Sequence, residues 1–282
     1  MATKMPPPRP PDDQEQTPTR AAEQQAAGSA APERSLPKAE WEHFHLYNHV
    51  REAILALPNY FTTETRITGI RATDIFTLSS TLGATIEDQV VQTLNRMRPV
   101  WDPDGKYNLY RFVRQGQTFP DVLLRKKNDG QEIILGIELK GWYLLAKERE
   151  PSFRYKVTPE ACAPQDLVVV VPWTLSDVLS GSPTVFDPYI ESAKYAAEYR
   201  NYWWQHVRVA AGSKAITKPT GITPYPKKSD KISDVPKSDD GNNFGRFSRS
   251  GIMDRYEEQA LATPICGIPA GEWVAFFKKF EQ

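Results

Sequence analysis

The chain has 282 residues with 35 basic and 35 acidic side chains, so its formal net charge is zero and does not indicate a nucleic-acid partner. Its longest apolar run lies within DLVVVVPW, far short of the roughly 18 residues that cross a bilayer, and the N-terminus lacks the pattern of a signal peptide. The spacing of Cys162 and Cys266 matches neither a disulfide framework nor a cysteine zinc motif. These observations predict a globular, cytoplasmic protein with no membrane partner.

The first 38 residues differ in composition from the rest of the chain. Residues 1–38 hold eight of the 24 prolines, together with many glutamines and alanines, and have no periodic apolar face. Because such a segment cannot bury enough apolar surface to offset the entropy of ordering it, we predict a disordered tail. Residues 39–282 are predicted to form a single domain, with a core at about 80–207 and an accessory segment at about 208–282.

A first helix is predicted in SLPKAEWEHFHLYNHVREAILALP. Ser35 can cap its N-terminus, and apolar side chains recur at helical spacing until Pro58. His45 and His49 are one turn apart, as some metal ligands are, but Leu46 stands where the HExxH motif has its glutamate. Both histidines are therefore interpreted as ordinary helix residues.

A second helix is predicted in TLGATIEDQVVQTLNRMRP, residues 81–99, and Pro99 would close it. Its predicted buried stripe is Leu82, Ile86, Val90, Leu94 and Met97. Glu87 lies beside that stripe and has two interpretations. It is either a solvated surface glutamate or a carboxylate at the edge of the core, directed at a site that the following strands build.

The next segments have the pattern of a β-hairpin. NLYRFV and DVLLRKK are predicted strands, and NDG, residues 128–130, supplies a tight turn before EIILGIELKGW. The strands before and after this turn should therefore pair antiparallel. Since residues two apart project from the same face of a strand, Glu138 and Lys140 should point together, away from the face that carries Ile137 and Leu139.

Asp121, Glu138 and Lys140 fit the hydrolysis of a phosphodiester bond. That reaction needs a divalent cation to polarise the phosphate and a group that activates water. Mg²⁺ favours carboxylate oxygen and usually takes only one or two protein acids, which Asp121 and Glu138 would supply. Mn²⁺ is expected to substitute. Lys140 would hold the attacking water and favour its hydroxide form, because a nearby cation stabilises the deprotonated species.

The residues Pro120, Asp121, Glu138, Leu139 and Lys140 resemble the motif of the PD-(D/E)xK nuclease superfamily. The resemblance covers roughly residues 80–207, from the helix with Glu87 through the hairpin to a further strand and helix. It implies an α/β fold in which a mixed central β-sheet is flanked by helices, the restriction-endonuclease-like core. It also implies metal-dependent cleavage of DNA, with Glu87 as an additional catalytic residue.

Two further elements follow the hairpin. DLVVVVPWTLSDVL begins with a run suited to a strand buried on both faces, and PYIESAKYAAEYRNYWWQHVR, residues 188–208, is predicted to be a helix. Tyr195, Tyr199 and Tyr202 form one stripe of that helix. Base stacking by these rings is conceivable, but packing of the helix on the sheet is the favoured interpretation.

Basic side chains near the motif are candidates for contact with phosphate. One group lies at the end of the predicted strand DVLLRKK, and the other lies in the loop-rich accessory segment, where a solvated loop is an equally good interpretation. The candidate DNA-binding residues are Arg125, Lys126, Lys127, Lys227, Lys228 and Arg246.

Three functions are compatible with the sequence. The first is a type II restriction endonuclease that cuts double-stranded DNA as a homodimer and has a DNA methyltransferase as its functional partner. The second is a nuclease of the same superfamily that acts in repair, in recombination or on mobile elements. The third is a non-catalytic DNA-binding module, against which the intact Asp121, Glu138 and Lys140 argue.

Overall fold

The computed structural model describes residues 30–34, 36–127, 132–239 and 241–281. Three predictions therefore fall wholly or largely outside the described residues: the cap at Ser35, the turn at 128–130 and most of the tail, residues 1–29. Within the predicted tail, the described part from residue 30 onward contacts the domain. Arg34 forms an ion pair with Glu191 at 2.8 Å and lies over the ring of Tyr195.

Helices precede and follow the main strands in the chain, and they flank the sheet. The α-helices are α1 (Phe44–Leu55), α2 (Leu57–Tyr60), α3 (Leu78–Arg96), α4 (Arg98–Trp101), α5 (Ala193–Tyr202), α6 (Asp254–Leu261) and α7 (Ala270–Phe277). Short 3-10 helices occupy Ala72–Thr77, Pro159–Ala161, Ser248–Ser250 and Lys278–Glu281, and a π-helical turn follows α5 at Trp203–Val207. No helix within these described ranges is both long and apolar enough to cross a membrane.

Within the described residues, the strands form one six-stranded mixed sheet and two small ribbons. The sheet contains β1 (Tyr110–Arg114), β2 (Val122–Lys126), β3 (Ile133–Tyr143), β4 (Leu167–Leu175), β5 (Pro183–Val185) and β6 (Tyr189–Ser192). The ribbons pair β7 (Ile216–Thr217) with β8 (Val235–Pro236) and β9 (Pro264–Ile265) with β10 (Ile268–Pro269). The predicted α/β architecture, a mixed central sheet flanked by helices, is thus confirmed.

The sheet begins as an antiparallel meander and becomes parallel in its centre. β1 pairs antiparallel with β2, and β2 pairs antiparallel with β3, which confirms the predicted antiparallel pairing of the strands before and after residues 128–130. β3 then pairs parallel with β4, while β5 and β6 pair antiparallel with different lengths of β4. β4 is buried at every position, as expected for a central strand covered on both faces.

The first two predicted helices have different first and last residues in the structure. Residues 36–43 are not in a regular helix, and α1 begins at Phe44. Pro58 and Pro99, predicted to close helices, instead lie in the first turns of the short helices α2 and α4. Proline fits there because the first turn of a helix does not need its backbone N–H as a donor.

The prediction of one helix over residues 188–208 is wrong at its start. Tyr189–Ser192 is strand β6, paired with Leu167–Val170 of β4. The helix starts only after Ser192, whose side chain accepts a hydrogen bond from the backbone N–H of Tyr195 and so caps it. Tyrosine and isoleucine suit a strand, and pairing along the open edge of β4 therefore prevails over helix propensity.

Candidate active site

Asp121, Glu138 and Lys140 meet at one end of the hairpin formed by β2 and β3. Val122 is paired with Ile137, so the next residues along, Asp121 and Glu138, face each other across the two strands. Lys140 Nζ lies 2.7 Å from Asp121 Oδ2 and 3.0 Å from Glu138 Oε1. The prediction that Glu138 and Lys140 project from the same face is confirmed, and the ammonium group bridges the two acids.

Backbone contacts hold Asp121 in place at the entry to β2. The backbone N–H of Leu139 donates to Asp121 Oδ2 at 3.1 Å. The backbone N–H of Gln115 donates to the carbonyl of Asp121 at 2.6 Å, and the Gln115 side-chain amide donates to the carbonyl of Pro120 at 2.9 Å. The carboxylate is therefore positioned by both neighbouring strands and not by Lys140 alone.

Pro120 packs on β3 where that strand has no side chain. A Cβ atom added to Gly136 would overlap Pro120 Cγ and would lie 3.0 Å from Asp166 Oδ1. Asp166 also accepts hydrogen bonds from the Gly136 N–H at 2.7 Å and from the hydroxyl of Tyr225 at 3.1 Å. Glycine at 136 thus lets Pro120 approach the strand and seat Asp121 opposite Glu138.

We expect Gly136→Ala to disturb both the fold and the site. The added methyl group must displace the Pro120 ring or open the hairpin, so the free energy of unfolding should fall by about 1–3 kcal/mol, as for other overpacked positions. Gly83→Ala is the matched control, because a Cβ there meets nothing within 4 Å and alanine favours the helix. Urea unfolding of the two variants tests this, and equal stability of Gly136→Ala and the parent would contradict it.

Glu87 lies at the same edge of the sheet, on α3, and its two oxygens have different partners. Oε1 accepts from the backbone N–H of Gly141 at 3.4 Å, and Oε2 pairs with Arg114 Nη2 at 3.2 Å. The Glu87 side chain is only 18% exposed, which excludes the interpretation of a fully solvated surface glutamate. Its role in catalysis stays a prediction.

Burial sets the electrostatics of the site. Removal from water raises the pKa of Glu138 to about 7, although the nearby Lys140 ammonium opposes this change. Burial also raises the pKa of Glu87 above its usual value, against the influence of Lys140. For Lys140, burial alone would lower the pKa, but the carboxylates of Glu138 and Asp121 outweigh it and the pKa is raised. Lys140 therefore stays cationic while Glu138 is poised to change its charge near neutral pH.

The raised pKa of Glu138 predicts a stability that falls with pH in the metal-free protein. Between its usual value of 4.5 and about 7, the folded protein holds a proton that the unfolded chain has released. The free energy of unfolding should therefore decrease as pH rises from about 5 to about 8. Glu138→Gln should flatten that decrease while leaving the contributions of Glu87 and Asp166 in place. Denaturation at several pH values checks this, and parallel curves for the two proteins would contradict it.

Asp121 and Glu138 are the two carboxylates that face each other across β2 and β3. Among the described residues, no group of three or more His, Cys, Asp or Glu side chains is arranged to hold a metal ion. The Asp121 and Glu138 pair nevertheless fits Mg²⁺ by its donor chemistry, since this ion takes hard oxygen ligands and usually only one or two protein acids. The Lys140 ammonium, which contacts both carboxylates, indicates that a cation is favoured between them.

The predicted DNA-binding residues lie at three places in the fold. Lys126, at the far end of β2, is about 16 Å along the strand from Asp121 and pairs with Glu132 at 2.7 Å. Lys227 and Lys228 are exposed and follow Tyr225, whose hydroxyl contacts Asp166. The remaining three are half-buried Arg125, exposed Lys127 and half-buried Arg246. Among the described contacts, none joins these six side chains to Asp121 or Glu138, and their contact with DNA stays a prediction.

The tyrosine stripe of α5 is only partly in the core. Tyr195 is buried, whereas Tyr199 and Tyr202 are half-buried, and successive rings lie 5.7 and 6.1 Å apart. The residues of α5 that pack in the hydrophobic core cluster are three alanines: Ala193, Ala196 and Ala197.

Several residues of the site were missed by sequence reasoning. Arg114 is not among the residues predicted for the site, although it pairs with Glu87. Gly136 and Asp166 were not connected with Pro120, because that contact depends on strand register and on a residue 30 positions away. Asp166 did offer a signal, since it is a charged residue that immediately precedes the apolar run of β4.

Comparison with protein-family models, with characterised proteins and with solved structures finds no match. The interpretation of the site therefore depends on its own geometry.

Proposed function

We propose that the protein is a metal-dependent DNA endonuclease of the PD-(D/E)xK type, with a restriction-endonuclease-like core. The observation that carries this proposal is the contact of Lys140 with both Asp121 and Glu138 across two paired strands. This pattern combines a pair of acids suited to one Mg²⁺ with a cation suited to water activation. The side chains of Asp121, Glu138 and Lys140 are only 23%, 11% and 21% exposed, and this low exposure strengthens the electrostatic interactions between them.

Each residue of the site has its own proposed role in hydrolysis. Asp121 and Glu138 would hold Mg²⁺, which supplies charge to polarise the scissile phosphate. Lys140 Nζ is within hydrogen-bonding distance of both acids, so a water bound beside them would share this ammonium and lose its proton more readily. Glu87 and Arg114 line the site on the side of α3. There, Arg114 can offset the negative charge of a phosphate.

The preferred substrate is double-stranded DNA, and the preferred role is that of a type II restriction endonuclease. Cutting both strands at a symmetric sequence is most simply done by two copies related by a twofold axis, each with one site. A homodimer on DNA is therefore part of the proposal, and a DNA methyltransferase would be its functional partner.

Cleavage of plasmid DNA of mixed sequence tests the proposal. The purified protein should convert plasmid to discrete fragments with Mg²⁺ or Mn²⁺, and chelation should abolish this. Smears or nicks at particular structures would instead favour the repair or mobile-element role. Absence of cleavage with either metal, on duplex and on branched DNA, would overturn the nuclease and leave a binding module.

A further inference from the structure

A cavity lies beyond the C-terminal end of α5, apart from the proposed active site. It has a volume of about 460 Å³ and is open to solvent on one side. The π-helical turn Trp203–Val207 supplies one wall, and the loop at residues 209–211 continues it. The lining also contains Ser238, Asn243 and Arg249. The lining therefore combines aromatic, polar and basic side chains.

The two tryptophans of this cavity differ in their exposure and in their contacts. Trp203 is half-buried on the wall, and its ring lies 6.4 Å from that of Trp204 at an angle of 53°, so the two are not stacked. Trp204 is 1% exposed, with the guanidinium of Arg208 against its ring at 3.2 Å. The buried Trp204 Nε1 donor has no hydrogen-bond acceptor among the described residues. A ligand ring could therefore stack on Trp203, and a buried donor remains to be satisfied.

The charged side chains in the lining of the cavity are arginines. Of the described residues that line it, only Arg208 and Arg249 are charged, and both are positive. Arg249 is held in position by Glu150, which accepts from Nε at 3.0 Å, and by Asn243, which accepts from Nη1 at 2.5 Å. Its Nη2 takes part in neither bond. A guanidinium fixed in this way suits a phosphate oxygen, because little freedom is lost on binding.

From these features we infer that the cavity binds a nucleotide unit, with the base stacked on Trp203 and the phosphate near Arg249. Stacking on an aromatic ring is tolerant of base identity, and arginine is the preferred partner of phosphate. The unit could belong to a nucleic-acid strand or be a free mononucleotide, and the chemistry of recognition is the same. The inference does not rest on the proposed endonuclease, since it needs neither the acids nor a metal.

Titration of the wild-type protein in the presence of a chelator tests the inference. The seven tryptophans give seven indole N–H signals in a nitrogen-15 correlation spectrum, and Trp203→Phe and Trp204→Phe assign the two in the cavity. Deoxynucleoside monophosphates, a short single-stranded oligonucleotide and inorganic phosphate are titrated separately. We expect the Trp203 and Trp204 signals to shift saturably with the nucleotides but not with phosphate alone. Tighter binding of the oligonucleotide than of the mononucleotides would identify a strand as the source.

Variants then separate stacking from charge. Trp203→Ala and Arg249→Ala should each weaken binding about 10-fold or more, whereas Trp203→Phe should retain most of it. Arg71→Ala is the control, because Arg71 is an exposed arginine that lies before the 3-10 helix Ala72–Thr77 and not in the cavity. Equal shifts with inorganic phosphate, or no shift with any nucleotide at millimolar concentration, would overturn the inference. Since no divalent ion is present, this result is independent of whether the protein cleaves DNA.

Discussion

Glu138→Ala and Asp121→Ala are each expected to reduce DNA cleavage by about 10³-fold or more and to remove most of the gain in DNA affinity that Mg²⁺ provides. The reason is that the two carboxylates face each other across β2 and β3 and share Lys140, so neither has a substitute in the site. Cleavage rates and DNA affinities, each measured with and without Mg²⁺, check both parts of the prediction.

Lys140→Ala should behave differently from the two acid variants. It removes the group that would activate water, so cleavage should fall by about 10²-fold to 10³-fold. The two acids remain, however, and they lose the ammonium that competes for the space between them. Calorimetric Mg²⁺ affinity and metal-supported DNA binding should therefore persist or increase. Glu87→Ala is expected to give an intermediate loss of cleavage.

Lys126→Ala and Lys127→Ala are the controls, since both positions lie at the other end of β2. They should weaken DNA binding in a salt-dependent way without loss of chemistry. If Glu138→Ala cleaved as fast as the parent, the proposed active site would be wrong and the charges on β3 would have a purely structural role.

Asp234→Ala is expected to produce the largest loss of stability, about 3–5 kcal/mol, because it leaves a buried charge without its counter-ion. Asp234 is fully buried, and its Oδ2 accepts from Arg200 Nη2 at 2.5 Å and from the Asn201 amide at 2.7 Å. Arg200 also donates to the carbonyls of Tyr155 and Val157. Losing Asp234 would thus weaken the attachment of the accessory segment to α5 and to residues 155–157. Urea or thermal unfolding measures the effect.

Lys218→Ala is the matched control for this ion pair. Lys218 pairs with Glu160 at 3.4 Å, but the two side chains are 50% and 48% exposed. Its removal should therefore cost less than about 1 kcal/mol. A comparable loss in the two variants would mean that burial does not determine the contribution of Asp234.

The pairing of β2 with β3 was predictable because the residues that specify it are close together in the sequence. Alternation over EIILGIELKGW specifies which side chains share a face, and the antiparallel register then follows from the neighbouring strands. The shared position of Asp121, Glu138 and Lys140 could thus be expected from the sequence. What could not be expected is the depth of burial that raises the pKa of Glu138, because this depends on β4 and on the elements that cover the sheet.

Contacts between residues far apart in the sequence account for most of the remaining differences between the predicted and the observed structure. The strand at Tyr189–Ser192 is short and adjoins a helix, so periodicity alone could not distinguish it from the first helical turn. The pairing of Arg114 with Glu87 links residues 27 positions apart and depends on how α3 crosses β1. In the same way, Tyr225 reaches Asp166 from a segment whose composition indicated only a loop.

The topology of the sheet has a consequence for the order of folding. β1, β2 and β3 are consecutive in the chain and in space, whereas β4 joins β3 in parallel only after the crossover at residues 144–166. Closing that crossover costs more chain entropy than closing a hairpin, so the meander should form first. Pulsed hydrogen exchange should accordingly protect amides of β2 and β3 before those of β4. Asp121 and Glu138 would then be neighbours while still in water, and Glu138 would acquire its apolar surroundings only when β4 docks.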